Sequence, residues 1–277
     1  MKVSIIIAVY KDIEALNLII NALKKQTYKN FEVIVAEDNN AQEMKNYIAT
    51  VKELDIKHTF QEDLGVRKSR SQNNGILQST GEYLIFLDGD IIPYTTFVAG
   101  HVALAKEKRV LAGRRVNLNP FFSKKLREGK LSSITLEKYY FLFCLFFLWD
   151  KETRFEQGIY IDPNSWIYRL FLAKRKRNTS IIGCNFSCYK RDMIEVNGFD
   201  EHYGISSFAD DVDLEWRFKA YGCELLSCKN IANKFHLYHK KQNNPTSDQL
   251  KEYFEENKQT QKYRCNTGLD THNKLRG

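Results

Sequence analysis

Gly81-Glu-Tyr-Leu-Ile-Phe-Leu-Asp-Gly-Asp90 is an apolar run that stops abruptly in two carboxylates around a glycine. Its stretch Glu82 to Leu87 is nearly unbroken in apolar character, which predicts a strand covered on both faces of a sheet. Working outward, Val3 to Val9 (VSIIIAV) and Phe31 to Ala36 (FEVIVA) read the same way. Between them, Asp12 to Lys25 sets Ile13, Leu16, Ile20 and Leu23 at helical spacing, with Asp12 as N-cap. A helix from about Gln42 to Leu54, a short strand near Ile56 to Phe60 and a helix from Arg67 to Ser79 complete the alternation. This order predicts an α/β fold with a mostly parallel, doubly wound sheet. Ligands of such sheets bind beyond the carboxyl ends of the strands. Two of those ends are acidic, Glu37-Asp38 and Asp88-Gly89-Asp90, so the pattern aims carboxylates at one crevice.

The 277 residues carry a net charge of +8 and are 43% hydrophobic, a composition that excludes a disordered tail or a fibre. Met1-Lys2 runs straight into a strand, leaving no room for a signal h-region, and no apolar run approaches the ~20 residues of a membrane span. Together with six cysteines this predicts a cytoplasmic protein with reduced thiols. The positive charge suits nucleotide phosphates, nucleic acid or an acidic lipid surface. Nucleic acid is not expected, because the Lys and Arg are spread out and the aromatics fall in solid apolar runs.

The chain divides into 1–113, an aromatic and basic insertion 114–179, a second half 180–240 and a polar tail 241–277 with one helix, Ser247 to Lys258. The insertion holds the run Tyr139 to Trp149, the segment Trp166 to Leu172 and the block Lys174-Arg-Lys-Arg177. One reading is a buried helix pair with a solvated basic turn. The other is a segment lying on the inner face of a membrane, aromatics dipping in and basic residues on anionic headgroups.

Asp88 and Asp90, two residues apart on a glycine-opened turn, can converge on one hard divalent cation, Mg2+ or Mn2+. A solvated acidic turn has the same look. Asp210-Asp211-Val212-Asp213 sets adjacent carboxylates against each other, which raises the pKa of one and poises it for proton transfer. The same residues also suit a helix N-terminus. His236 and His239, downstream of both clusters, read as structural histidines or as a further metal ligand. Cys184/Cys188 and Cys223/Cys228 have spacings compatible with zinc, but their neighbours look like ordinary core.

Val3 to Tyr10, Gln26 to Val35, Gly81 to Asp90, Gly183 to Ser187, Asn197 to Glu201 and Asp210 to Leu214, taken in this order, resemble a family-2 glycosyltransferase with the nucleotide-sugar-binding GT-A fold. The last three pieces resemble the acceptor-side half of galactosyltransferase-like enzymes. The resemblance covers about residues 1–113 and 180–240. It implies that Ala8 and Tyr10 line the nucleoside pocket, Asp38 accepts from uracil or ribose, and Arg67 lies near the base or diphosphate. It further implies that Asp88 faces ribose and metal-bound water, and that Asp90 ligates the metal with His236, or His239 in its place. Asp211 is implied as catalytic base and Asp210 as a grip on a sugar hydroxyl. Implied with them are a UDP-sugar donor, an Mn2+ or Mg2+ ion and a saccharide or lipid-linked saccharide acceptor, as in bacterial surface polysaccharide or lipopolysaccharide synthesis.

The chain departs from that pattern where Glu37-Asp38 replaces an Asp-Asp pair and Asp210 replaces a glutamate. Ile205-Ser-Ser-Phe-Ala209 stands where a Gly-Trp-Gly platform is usual, leaving Phe208 or Trp166 to substitute. A sugar-phosphate nucleotidyltransferase would need a Gly-rich loop after the first strand, and Tyr10-Lys11-Asp12 offers none. A non-catalytic relative would lack the metal carboxylates or the base, and both are present.

Overall fold

The computed structural model describes residues 1–147, 153–173, 175, 177–204, 209–240 and 247–274; the side chains at 144, 145, 147, 209, 210, 273 and 274 lie outside the description. The opening alternation forms as read: β1 (Val3–Val9), α1 (Ile13–Lys24), β2 (Phe31–Glu37), α2 (Gln42–Thr50), β3 (Ile56–Phe60), α3 (Lys68–Gln78) and β4 (Tyr83–Asp88). Then follow β5 (Ile91–Pro93), α4 (Phe97–Leu104), β6 (Arg109–Ala112), β7 (Val116–Asn117), α5 (Pro120–Arg127), α6 (Ser133–Lys138) and α7 (Tyr140–Phe147). The second half contributes β8 (Asn185–Tyr189), α8 (Lys190–Glu195), α9 (Leu214–Ala220), β9 (Glu224–Ser227) and β10 (Lys234–His236), and the tail α10 (Asp248–Gln259) and α11 (Leu269–Lys274).

Among the described residues the strands make a seven-stranded sheet, β3-β2-β1-β4-β8-β6-β9, and a three-stranded one, β5-β10-β7. β1 pairs in parallel with both β2 and β4, and β8 runs antiparallel to β4 and β6. Residues 1–113 and 180–240 therefore share one sheet.

Burial on both faces explains the unbroken apolar strands. Ile5, Ile7, Val33, Val35, Ile85 and Leu87 pack on one side with Leu16, Ile20 and Leu23 of α1. Ile6, Ile34, Leu84 and Phe86 pack on the other with Ile76 of α3 and Leu214 and Phe218 of α9. Gly75 lets α3 lie close to the sheet, since a Cβ there would stand 2.8 Å from Ile6 Cγ2.

Side-chain caps fix the helix starts. Asp12 accepts from the Ala15 N–H at 2.9 Å and Ser247 from that of Leu250 at 3.3 Å. α2 ends at Thr50, short of the expected Leu54, because Val51 is already extended.

Part of the insertion is solvent-facing. Tyr140 is buried and donates to the Phe155 carbonyl, whereas Phe141, Leu142 and Phe146 stand exposed, as do Trp166, Leu170 and Phe171. These side chains do not form the core of a buried helix pair. Trp149, Lys174, Lys176 and Phe208 lie outside the described residues.

Candidate active site

Strand order reverses at β1, which sends the chain to β2 on one side and to β4 on the other, and ligands bind at such switch points. Register brings the acidic ends level there: Ala8 pairs with Asp88 and Val9 with Glu37. Beyond them opens a cavity of about 690 Å3, lined among others by Ala8, Tyr10, Asp38, Asp88, Asp90 and His239.

Each wall residue is held by a local interaction. Asp38 accepts from Gln61 Nε2 and from the Arg67 N–H, both at 2.6 Å. Its neighbour Glu37 turns inward, bound to His58 Nε2 at 2.8 Å and to the Ala41 N–H at 3.2 Å. Only the second carboxylate of that pair faces the crevice. Tyr10 is exposed and donates to Asp63 at 3.3 Å. Asp12 pairs with both terminal nitrogens of Arg127, at 2.9 and 2.6 Å.

Arg67 is placed differently from the other expected residues. Its backbone supports Asp38, but its guanidinium donates to the Glu62 carbonyl and lines a separate cavity with Arg70 and His272. Lys68, one residue on, brings a positive charge to the crevice, with Nζ 2.7 Å from Asp88 Oδ1, and Lys240 also lines it.

The turn after β4 carries the densest chemistry. Gly89 packs on β1, where a Cβ would lie 3.0 Å from the Ala8 carbonyl oxygen. Asp90 Oδ2 is 3.2 Å from His236 Nε2 and 3.3 Å from His239 Nε2, and the two nitrogens are 3.2 Å apart. The small sheet sets this geometry: His236 pairs with Ile91, and the Leu237 N–H donates to the Asp90 carbonyl at 3.0 Å. Burial pushes the Asp90 carboxyl up, but the His236 bond and the charges of His236, His239 and Arg115 outweigh it and hold the pKa below the usual range.

Asp90 Oδ1 is buried and lacks a hydrogen-bond partner among the described residues. One carboxylate and two imidazoles converge within 4.8 Å, with an acceptor oxygen unspent. That donor set fits a divalent first-row cation such as Mn2+ better than Mg2+, which prefers oxygen alone.

Asp211 reaches the same edge of the sheet from the other half. Leu87 pairs with Asn185, so residues 183 and 184 lie abreast of the Asp88-Gly89 turn. The Gly183 N–H donates to Asp211 Oδ1 at 2.5 Å, and the Ile181 N–H to Glu215 Oε2 at 2.8 Å. Behind Asp211 a buried pair anchors the turn: Arg217 Nε to Asp213 Oδ2 at 2.6 Å, with Arg217 also donating to the Val196 and Gly198 carbonyls. The Asp210 side chain lies outside the described residues.

Two cations near this edge were not singled out in the sequence. Lys234 is fully buried with Nζ on the Cys184 carbonyl, and Arg115 Nη1 lies 3.2 Å from Cys184 Sγ. The available signal for Lys234 is strand alternation, which puts it on the face of His236 two residues on. Among the described residues the four cysteines do not gather into a metal-ligating group: Cys184, Cys188, Cys223 and Cys228 are buried free thiols, and burial pushes Cys223 and Cys228 up to about 12.

Comparison with known proteins bears on this geometry. The model described as Glycosyl transferase family 2 matches residues 4–195, and that described as N-terminal domain of galactosyltransferase matches 171–240. A Campylobacter jejuni relative, GalNAc(5)-diNAcBac-PP-undecaprenol beta-1,3-glucosyltransferase, is 29% identical over 91 residues, which are 32% of this chain and 29% of that one. The match spans less than a third of the length of the curated relatives. The structure of GalNAc-T7 with UDP, GalNAc and Mn2+ superposes with TM-score 0.59 at 15% identity, covering 93% of this chain and 48% of that one. A Pyrobaculum calidifontis mannosyltransferase with GDP-Man and Mn2+ gives TM-score 0.56 at 14% identity, covering 87% and 58%. At such identities the likeness carries the fold.

Proposed function

Because the chain belongs to glycosyl transferase family 2 and has the GT-A fold, we propose that it transfers a sugar from a UDP-sugar to a hydroxyl of a saccharide acceptor, inverting the anomeric carbon. The observation that carries the reading is the convergence of Asp90, His236 and His239 at the rim of the switch-point crevice. Ala8, Tyr10 and Asp38 are assigned to the nucleoside, and Asp88 with Lys68 to the ribose and diphosphate side. Arg67 acts through its backbone, holding Asp38 in place. Asp90 and His236, with His239 as the alternative imidazole, would hold a divalent cation, which would supply positive charge to the leaving diphosphate.

Asp211 is the base in this reading. Its carboxylate accepts the proton of the acceptor hydroxyl while that oxygen attacks the anomeric carbon from the face opposite the diphosphate. General-base help of this kind contributes roughly 10²–10⁴-fold, and alignment of donor and acceptor supplies much of the rest. Asp210 is assigned to a sugar hydroxyl.

The name of the Campylobacter relative supports a lipid-linked saccharide as acceptor, and the proposed setting is surface polysaccharide or lipopolysaccharide synthesis. The enzyme then works in the cytoplasm, peripheral on the inner face of the membrane. The test is a screen of UDP- and GDP-sugars for hydrolysis and thermal stabilisation with and without Mn2+. A UDP-sugar stabilising only with metal is expected. Equal stabilisation by UDP- and GDP-sugars, with and without Mn2+, contradicts the reading.

A further inference from the structure

A cavity of about 510 Å3, separate from the crevice, lies against the insertion, and Arg114, Arg154, Arg175, Arg177 and Lys229 line it against one carboxylate, Glu156. Lys229 pairs with that glutamate at 3.3 Å. Arg114, 8% exposed, donates to the carbonyls of Gly113, Ser180 and Asn178 at 2.6, 2.9 and 3.1 Å. Arg177 donates to the Lys229 carbonyl at 2.5 Å and to Asn230 Oδ1 at 3.2 Å. Carbonyl oxygens satisfy N–H groups without neutralising charge, so four guanidinium groups share a cavity that lacks a matching anion among its described lining residues. Burial lowers the pKa of Arg114 and of Arg177, and the neighbouring charges of Arg154 and Arg175 push the same way.

The chain entering this cavity is apolar on the outside. Trp166, Ile167, Leu170 and Phe171 are 65%, 43%, 70% and 63% exposed, and the Trp166 and Phe171 rings meet at 6.3 Å. Leu172 and Arg175, directly following, line the cavity. An anion-seeking pocket beside protruding aromatics matches an amphiphile with a phosphate head, and aromatics this exposed fit a bilayer interface.

We propose that this cavity seats the phosphate headgroup of an anionic phospholipid while the Trp166–Phe171 segment enters the bilayer interface beside it. The site touches the acceptor edge through one stretch of chain. Asn178 and Ser180 offer their carbonyls to Arg114, while the N–H groups of Ile181 and Gly183 hold Glu215 and Asp211. Docking there presents the Asp211 side to the membrane, and to that extent the inference rests on the membrane-surface acceptor proposed above.

The test is co-sedimentation of the full chain with phosphatidylcholine vesicles, with and without about a third phosphatidylglycerol. Binding to the anionic vesicles alone is expected, weakening with salt. The pair Arg154→Gln/Arg175→Gln and the pair Leu170→Ala/Phe171→Ala should each lower partitioning about tenfold. Both should leave the melting temperature and UDP-sugar hydrolysis in solution unchanged. Equal binding to neutral vesicles, or stabilisation by inorganic pyrophosphate with no preference for anionic vesicles, overturns the headgroup site. Vesicle binding with no hydrolysis of any nucleotide sugar upholds the site and removes the transferase reading instead.

Discussion

His236 and His239 present their Nε2 atoms to each other at 3.2 Å, and both nitrogens lie within 3.3 Å of Asp90 Oδ2. Each Nε2 carries a single lone pair or proton, so the two rings cannot bond each other and Asp90 Oδ2 all at once. A cation between them resolves that conflict and also uses the unpartnered Asp90 Oδ1. Mn2+ is therefore expected to raise the melting temperature of the wild type in a fluorescence-monitored melt. Asp90→Asn and His236→Ala should abolish that rise and lower the transfer rate about 10²–10³-fold, the scale of removing one preorganised electrostatic group. Full activity in excess chelator would discard the metal centre.

Asp211→Asn should keep the fold, because an amide oxygen can still accept the Gly183 N–H. It loses the basic oxygen, so kcat should fall about 10²–10⁴-fold while the KM for the donor holds. Steady-state kinetics with a matched acceptor checks this. Wild-type turnover in the variant would remove Asp211 as base.

Arg217 and Asp213 are buried together behind the base, and burial is the main force raising the Asp213 pKa against the pull of Arg217. Arg217→Met strands a carboxylate without its partner, which should cost about 3–5 kcal/mol in urea unfolding. Adding Asp213→Asn should recover part of that loss, a coupling that a double-mutant cycle measures. Additive effects would mean that the pair does not anchor the Asp211 turn.

His101 gives the protein an acid-sensitive core. It is fully buried, with Nδ1 2.8 Å from Ser187 Oγ and Nε2 3.1 Å from Asn185 Oδ1. Burial, with a contribution from the Lys234 charge, pushes its pKa down to about 3. Since the folded value lies below the unfolded one, its contribution is fully present above about pH 6.5. Between there and pH 3 the unfolded chain holds a proton that the native state refuses. Stability should fall by about 1.4 kcal/mol per pH unit from this group alone. Denaturant unfolding from pH 7 to pH 4 should show a flatter acid limb in His101→Gln, and equal slopes would contradict a neutral buried ring.

Much of this architecture is legible from the chain because its strands are buried on both faces and long enough to show it. β1, β2 and β4 appear as apolar runs, and the acidic residues that end them mark the crevice. The small sheet is not legible. β5, β7 and β10 span three, two and three residues, too few for any periodicity, yet their pairing carries His236 to Asp90. The arginine-lined cavity was equally hidden, since Arg114, Arg154 and Lys229 are brought together by tertiary folding alone. Arg67, Lys68 and Arg70 show the finest limit: all three read as cations for the diphosphate, yet at the start of α3 only Lys68 of the three lines the crevice, while Arg67 and Arg70 line the separate cavity.

The most direct measurement is the anomalous scattering of Mn2+ in crystals grown with UDP. The account expects one strong peak about 2 Å from Asp90 and His236, with the diphosphate beside it and the base edge at Asp211 facing the same opening. A manganese peak elsewhere, or UDP bound away from the Ala8–Asp88 crevice, would contradict it.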